Sequence, residues 1–155
     1  MRFGIIFKAP VLRLARRGAL NIHPGSLPCY PGLFSPFYAM LADEPTAGCT
    51  LHVMDEGIDT GPVIGIRHLP IDPHHSLFWH LMHLYPLGVE LFLQTLTHLE
   101  AGRALRPQPQ DRSQRAYRSL PSPEQFAAFR AKKLRLVDPE DYREFLGRFC
   151  QTHTF

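Results

Sequence analysis

The sequence is poor in cysteine, and none of its apolar stretches is long. Cys29, Cys49 and Cys150 form an odd set without paired spacing, which argues against a disulfide framework and favours a reducing compartment. No apolar run reaches the roughly 18 residues that a membrane helix needs. The apolar N-terminal stretch is interrupted by Lys8 and Arg13, and no cleavage-like site follows, which is not typical of a signal peptide. We therefore expect a cytoplasmic protein without a membrane partner.

The chain also lacks a strong net charge and any internal repeat. Its 155 residues, 45% hydrophobic content and net charge of +3 are typical of one globular domain. The charge is uneven along the chain, because residues 103–135 contain nine Lys or Arg and only two acidic residues. Such a segment can bind phosphate or nucleic acid, or it can be a solvated surface. No aromatic interleaving or binding motif accompanies it, so both interpretations stay open.

Two short polar motifs carry the groups needed to move an acyl group between nitrogens. Residues 21–24 read Asn-Ile-His-Pro, and residues 54–62 read Met-Asp-Glu-Gly-Ile-Asp-Thr-Gly-Pro. The amide of Asn21 can donate to an oxyanion, and the imidazole of His23 can donate to the same oxygen or carry a proton. The carboxylate of Asp59 can accept the proton that an attacking amine loses. We therefore predict Asn21, His23 and Asp59 as the catalytic residues; taken singly, Asn21 and His23 could also be turn residues that satisfy their own backbone.

Two other kinds of site have weaker support in the sequence. His80 and His83 share a helix face, but a structural zinc site usually needs four ligands with cysteine or carboxylate help. No such set is clear, and we predict no metal. Cys29 and His23 could form a nucleophilic pair, but Cys29 lies in a loop between prolines, with no oxyanion donor besides Asn21.

Hydrophobic periodicity predicts that short strands alternate with helices. The predicted strands span residues 5–7, 19–23, 48–54 and 63–69, and the predicted helices span residues 9–17, 34–42 and 72–102. The first strand, helix and second strand would form a parallel βαβ unit. Asp72 would cap the longest helix, and Pro86 should kink or split it. Two capped helices are predicted after a linker, one following Ser122 and one following Asp138.

The polar motifs and two further segments resemble the folate-dependent formyltransferase family. That family includes glycinamide ribonucleotide, methionyl-tRNA and sugar-nucleotide formyltransferases. Its signature is Asn-x-His-Pro, a Ser-Leu-Leu-Pro-x-Tyr-x-Gly loop, a Gly-x-Thr-x-His strand and Asp-x-Gly-x-Asp-x-Gly. The matching segments occur in the same order at residues 21–24, 25–32, 48–52 and 55–61. One departure is that Gly25 and Ser26 replace the usual Ser and first Leu.

The resemblance implies an α/β fold that is only part of a Rossmann-like domain. Residues 1–105 would be the C-terminal half of a formyltransferase catalytic domain that lacks its N-terminal βα units. Residues 106–155 would be a linker and a small helical extension. The Gly/Ser-rich turn that holds an acceptor phosphate in the family is absent from this sequence. A half domain would expose a sheet edge beside residues 5–7, so we expect a homo-oligomer or a partner segment that supplies the missing strands.

The resemblance also implies a reaction, the transfer of a formyl group from 10-formyltetrahydrofolate to an amine on a nucleotide sugar or a tRNA. Asn21 and His23 would stabilise the oxyanion, and Asp59 would orient His23 and take the amine proton. His52 would face the site or pack on the sheet. The expected folate contacts are Phe3, Ile5, Ile6, Asp55, Gly57, Ile58 and Gly61. The alternatives are a formyltetrahydrofolate hydrolase, which uses water as the acceptor, and a catalytically silent fragment that pairs with another chain.

Overall fold

A computed structural model of the chain describes residues 6–149. The strands are β1 (Leu20–His23), β2 (Thr46–Val53) and β3 (Val63–Pro70). The helices are α1 (Ala9–Leu12), α2 (Ser35–Leu41), α3 (Leu77–Glu100), α4 (Pro123–Ala131) and α5 (Pro139–Phe149), with a 3₁₀ turn at Arg112–Gln114. The combination of helices with a small sheet confirms the predicted α/β class. Over the described residues, no helix combines the length and apolar character needed to cross a membrane.

The three strands form one antiparallel sheet in the order β1-β2-β3. The strand predicted at residues 5–7 is not seen, since residues 6 and 7 lie in no strand and residue 5 lies outside the described residues. The βαβ unit predicted to begin there is therefore not formed within residues 6–149. The helix predicted over residues 9–17 is only the single turn α1. No residue of α1 is buried, and a short helix without apolar burial has little to stabilise it.

The long helix α3 begins later than predicted, at Leu77. Ser76 is its N-cap, because its hydroxyl accepts a hydrogen bond from Trp79 N at 3.3 Å. Asp72, the predicted cap, closes a preceding turn by accepting from His74 N at 2.8 Å. An Asp-Pro pair favours a turn as readily as a helix start. The helix is not split at Pro86, which lies on its exposed side, where water can satisfy the carbonyl that proline leaves unbonded.

Helix α3 covers one face of the sheet. Ala47 and Cys49 of β2 form a buried cluster with Leu84 of α3. The helix and sheet are in close contact at Gly88, where a Cβ atom would collide with Ile22 of β1. Because side chains alternate along a strand, residues adjacent to Ile22 and Cys49 point to the opposite face. The fold therefore leaves that opposite face for polar side chains.

The two C-terminal helices pack against the rest of the fold. Ser122 and Gln125 form the capping box predicted for α4. Phe129 of α4 is fully buried and stacks on Phe37 of α2, with ring centroids 4.4 Å apart. Asp141 of α5 accepts a hydrogen bond from Ser76 N at 2.7 Å. The division of the chain at residue 105 stays a prediction, and α4 shares its hydrophobic core with α2.

Because Phe129 lies in this shared core, we predict that Phe129→Ala strongly destabilises the fold. The substitution leaves a cavity beside Phe37, and we expect the free energy of unfolding to fall by about 3–5 kcal/mol. Leu120→Ala is the control, because Leu120 is 63% exposed and its loss should change stability by less than about 0.5 kcal/mol. Urea unfolding followed by the fluorescence of Trp79 measures both variants. Equal stabilities would show that α4 does not contribute to the common core.

Candidate active site

Four polar side chains lie on the face of the sheet opposite to α3. In the antiparallel register of β1 and β2, Asn21 is opposite His52, and His23 is opposite Thr50. Residues directly opposite each other share a face and lie close together. Asn21 Nδ2 is 3.1 Å from His52 Nε2. His52 therefore faces the predicted catalytic residues, which decides between the two placements that the sequence left open.

The loop between β2 and β3 brings Asp59 to this face. The backbone of Asp59 is left-handed, with φ of +52°, a conformation that Asp tolerates better than most residues. Asp55 shapes the loop, because its Oδ1 accepts a hydrogen bond from Thr60 Oγ1 at 2.5 Å. Gly61 passes so close to Val53 that a Cβ atom at Gly61 would collide with the Val53 carbonyl. The glycine is therefore required by the close approach of two backbone segments.

The Asp59 carboxylate is the point on which the site residues converge. Its Oδ1 lies 3.4 Å from Asn21 Nδ2 and 3.6 Å from His52 Nε2. Its Oδ2 lies 3.5 Å from His23 Nδ1 and accepts a hydrogen bond from Gly32 N at 2.8 Å. The Asp59 side chain is only 12% exposed. The structure thus brings together all three residues that the sequence predicts as catalytic, and it adds His52 and the Gly32 amide to them.

The hydrogen-bond partners of the two imidazoles define where their protons lie. His23 Nε2 is 2.7 Å from Tyr30 O, and since a carbonyl oxygen only accepts, Nε2 carries a hydrogen. A second proton on His23 Nδ1 would face Asp59. His52 Nδ1 likewise donates to Val53 O at 2.9 Å, which leaves Nε2 to accept from Asn21 when neutral and to donate towards Asp59 when protonated. Each imidazole can therefore carry a proton on the ring nitrogen that faces the Asp59 carboxylate.

The surroundings keep the Asp59 carboxyl ionised. Burial raises the pKa of this carboxyl, but the hydrogen bond with His52, the charge of His23 and the amide of Gly32 together lower it below its ordinary value of 3.8. The carboxylate is therefore available as a proton acceptor at neutral pH. The same interactions stabilise the folded state, because a carboxyl whose pKa is lowered by folding stabilises that state when it is ionised.

The predicted folate-contact residues fall into two groups. Asp55, Gly57, Ile58 and Gly61 lie in the β2–β3 loop that carries Asp59. Ile6 precedes α1, is 47% exposed and is not part of the hydrogen-bonded cluster around Asp59. Phe3 and Ile5 lie outside the described residues.

A second set of residues, not predicted from the sequence, reaches the site from the predicted linker. Gln110 Nε2 donates to the carbonyls of Asp59 and Gly61, at 3.0 and 2.6 Å. Arg115 Nη2 donates to Ile58 O at 2.7 Å. Arg118 lies over the ring of Tyr38, with 5.3 Å between guanidinium carbon and ring centroid. Part of the basic segment is therefore structural, and no local pattern signals contacts with residues about 50 positions earlier.

The other candidate groups have structural contacts. His80 is buried, its Nε2 accepts from Asp72 N at 3.1 Å, and its Nδ1 bonds Ser76 O at 2.8 Å. Cys29 Sγ lies 3.9 Å from Gln114 Oε1. Within residues 6–149, no three His, Cys, Asp or Glu side chains group in a way that could hold a metal ion.

The lowered pKa of Asp59 predicts a pH dependence that can be measured directly. The carboxyl carbon of Asp59, followed by NMR, should titrate with a midpoint below 3.8. His23→Ala removes a nearby positive charge and should raise that midpoint, whereas His98→Ala, on α3, should leave it unchanged. Because the folded pKa is the lower one, the stabilisation is complete above about pH 3.8 and is lost as the pH falls through the folded pKa. A midpoint at or above 3.8 in the unmodified protein would contradict this.

Comparison with known proteins gives relatives of one kind. The formyl transferase family model matches residues 1–80, a stretch that contains Asn21, His23 and Asp59. Methionyl-tRNA formyltransferases of Synechococcus sp. (strain JA-2-3B'a(2-13)) and Deinococcus radiodurans are 37% and 36% identical over 118 residues. These matches cover 76% of this chain and 36% of each relative. The chain thus spans a little over a third of the length of these curated relatives.

Several solved structures with a similar fold are also formyltransferases. An N-formyltransferase from Helicobacter canadensis, in complex with folinic acid and dTDP-3-aminofucose, has a TM-score of 0.67 and 25% identity, over 77% of this chain and 44% of that chain. The formyltransferase PseJ from Anoxybacillus kamchatkensis has a TM-score of 0.67 and 28% identity, over 81% of this chain and 64% of that one. The partial coverage fits the predicted partial domain. With the family match extending over half of its residues, the chain belongs to the formyl transferase family.

Proposed function

We propose that this chain carries the catalytic groups for formyl transfer from 10-formyltetrahydrofolate to an amine. The observation that carries the proposal is the convergence of Asn21, His23 and His52 on the buried carboxylate of Asp59. Two amide or imidazole donors beside one ionised carboxylate are the groups that acyl transfer between nitrogens needs. The formyl donor is proposed because similar structures are complexes with folinic acid or tetrahydrofolate.

Asn21 and His23 are proposed as the oxyanion donors. Attack of an amine on the formyl carbon places negative charge on the formyl oxygen. The contacts of both donors with Asp59 are long, 3.4 Å from Asn21 Nδ2 and 3.5 Å from His23 Nδ1. Hydrogen bonds of this length are weak, so the oxygen of the intermediate can compete for both donors. A donor aimed at such an oxygen is typically worth roughly 3–4 kcal/mol.

Asp59 is proposed as the proton acceptor and as the residue that orients His23. The amine loses one proton on forming its new bond to carbon, and Asp59 takes this proton directly or through water. The carbon–nitrogen bond to the folate then breaks, and the departing nitrogen receives a proton from His23. Asp59 then passes its proton from Oδ2 to His23 Nδ1, 3.5 Å away, which returns both side chains to their starting states. The net result is that one proton passes from the amine to the folate. This scheme needs Asp59 ionised, in agreement with its lowered pKa.

The acceptor is proposed only as an amine. Relatives by sequence are methionyl-tRNA formyltransferases, and similar structures include sugar N-formyltransferases. An amino group on a nucleotide-linked sugar and the amino group of methionyl-tRNA are therefore the two acceptors to assay. Turnover with water alone would identify a formyltetrahydrofolate hydrolase instead.

The β2–β3 loop is proposed to bind the folate, and this can be tested by calorimetry. We expect 5-formyltetrahydrofolate, a stable analogue of the donor, to bind in the micromolar range, about −8 kcal/mol, and to protect residues 54–62 from proteolysis. Gly61→Ala should abolish binding, because the added Cβ collides with the Val53 carbonyl. Gly147→Ala is the control, since a Cβ there meets nothing within 4 Å. Absence of both heat and protection in the unmodified protein would contradict the assignment.

The proposed roles predict large losses of turnover on truncation of the three catalytic residues. Asn21→Ala, His23→Ala and Asp59→Ala should each lower formyl transfer by at least about a hundredfold, with little change in folate affinity. Their effects should not add, because the three groups act as one unit. Rates and calorimetric affinities are measured on the same preparations.

Cys29→Ser is the control for this series, and we expect its activity to stay within a few-fold of the unmodified protein. If Cys29→Ser abolished activity and Asp59→Ala did not, the acyl group would pass through a cysteine, and direct transfer would be wrong. If the unmodified protein had no turnover with either acceptor, the silent-fragment alternative would replace the proposal.

A further inference from the structure

A short segment, residues 108–118, crosses both loops that hold Asp59 and is here called the strap. At one end, Gln108 exchanges two backbone hydrogen bonds with Val63, at 2.7 and 2.8 Å. At the other end, the carbonyl of Arg118 accepts from Leu33 N at 2.9 Å, next to the Gly32 amide that binds Asp59. The strap is therefore joined by its backbone to the first residue of β3, where the β2–β3 loop ends, and to the loop after β1.

Between these anchors, one side chain of the strap holds the backbone of the Asp59 turn. The side-chain amide of glutamine has two hydrogens on its nitrogen, and Gln110 Nε2 donates to Asp59 O at 3.0 Å and to Gly61 O at 2.6 Å. The two carbonyls flank the turn whose first residue is left-handed. Arg115 adds a third bond, to Ile58 O at 2.7 Å. Three carbonyls of the loop, those of Ile58, Asp59 and Gly61, are thus held from one segment.

The geometry points to Gln110 as a positioning residue for the proposed formyl transfer. Asp59 has an uncommon backbone conformation, and the orientation of its carboxylate relative to Asn21 and His23 depends on that conformation. The Asp59 carbonyl belongs to the peptide that directly follows the Asp59 Cα, so holding this carbonyl restrains the Cα–Cβ direction of Asp59. Gln110 acts through Asp59, and the inference rests on the proposed function. A displacement of about 1 Å in a catalytic group can cost roughly a hundredfold in rate.

The test is Gln110→Met, compared with Gln114→Met. Methionine keeps the length of glutamine but has no charge and no hydrogen-bond donor, so only the two bonds to the loop are lost. Gln114 is a matched control in the same strap, because its amide bonds the exposed Asp111 at 2.9 Å and not the loop. Three readouts are compared: kcat and KM, the pH profile of kcat, and hydrogen exchange of the amides in residues 54–62.

For Gln110→Met we expect kcat to fall about ten- to a hundredfold, with KM for the folate changed less than threefold. The acid limb of the pH profile should move to higher pH. The charged or titratable groups around Asp59 are His23 on β1, His52 on β2 and Arg115 on the strap. A carboxylate that moves away from the two imidazoles and from Gly32 loses the interactions that lower its pKa. Exchange in residues 54–62 should become faster, and exchange in α3 should not change.

The outcomes separate this inference from the proposed function. If the unmodified protein is active and Gln110→Met matches it in kcat and in the acid limb, the positioning role is wrong. If kcat falls as much in Gln114→Met as in Gln110→Met, the effect belongs to the strap as a whole and the assignment to Gln110 is overturned. If the unmodified protein transfers no formyl group and loop exchange still rises in Gln110→Met, the proposed function fails and the control of the loop by Gln110 is supported.

If Gln110→Met does not fold, a second substitution still tests the inference. Arg115→Met removes the bond to Ile58 O from another position of the strap. We expect a smaller shift of the acid limb in the same direction, together with faster exchange in residues 54–62. Unchanged exchange and an unchanged acid limb in a folded Arg115→Met protein would count against control of the loop by the strap.

Discussion

The burial of one ionised carboxylate is the constraint on which the site depends. A carboxylate removed from water is costly unless hydrogen bonds and opposite charge replace its hydration. Asp59 obtains these from His23 and Asn21 of β1, from His52 of β2 and from the Gly32 amide. These partners come from three separate segments, so the carboxylate fixes the position of two strands and a loop at once. The same partners that satisfy the charge also keep it ionised, which is the state that a proton acceptor needs.

The sheet separates the structural and the chemical requirements onto its two faces. Because successive side chains alternate, β2 can place Cys49 against α3 and place Thr50 and His52 on the opposite face. Thr50 itself supports the adjoining loop, since its hydroxyl donates to Gly25 O at 2.6 Å and accepts from Leu27 N at 3.2 Å. The apolar face thus fixes the register of the strands, and this register decides which polar residues meet.

The segment after α3 joins the periphery of the molecule to the site. The strap bonds the loop that carries Asp59, and α4, which follows it, buries Phe129 against Phe37 of α2. Helix α2 begins directly after the loop that supplies the Gly32 amide. Stability of the C-terminal region and geometry of the site are therefore linked through packed and hydrogen-bonded neighbours. This linkage also explains why part of the basic segment is directed inward.

The sequence by itself determined the strands at residues 20–23, 46–53 and 63–70 to within about two residues, the capped start of α4, and the residue types of the site. Period-two alternation, capping side chains and turn residues are local signals, and so they can be read along the chain. The start of α3 and the length of α1 were predicted wrongly, because tertiary contacts override local propensity. Only the tertiary structure decided that His52 faces Asp59 and that Gln110 holds the Asp59 turn. Those contacts join residues separated by many positions, and they depend on strand register and chain path, which no local pattern encodes.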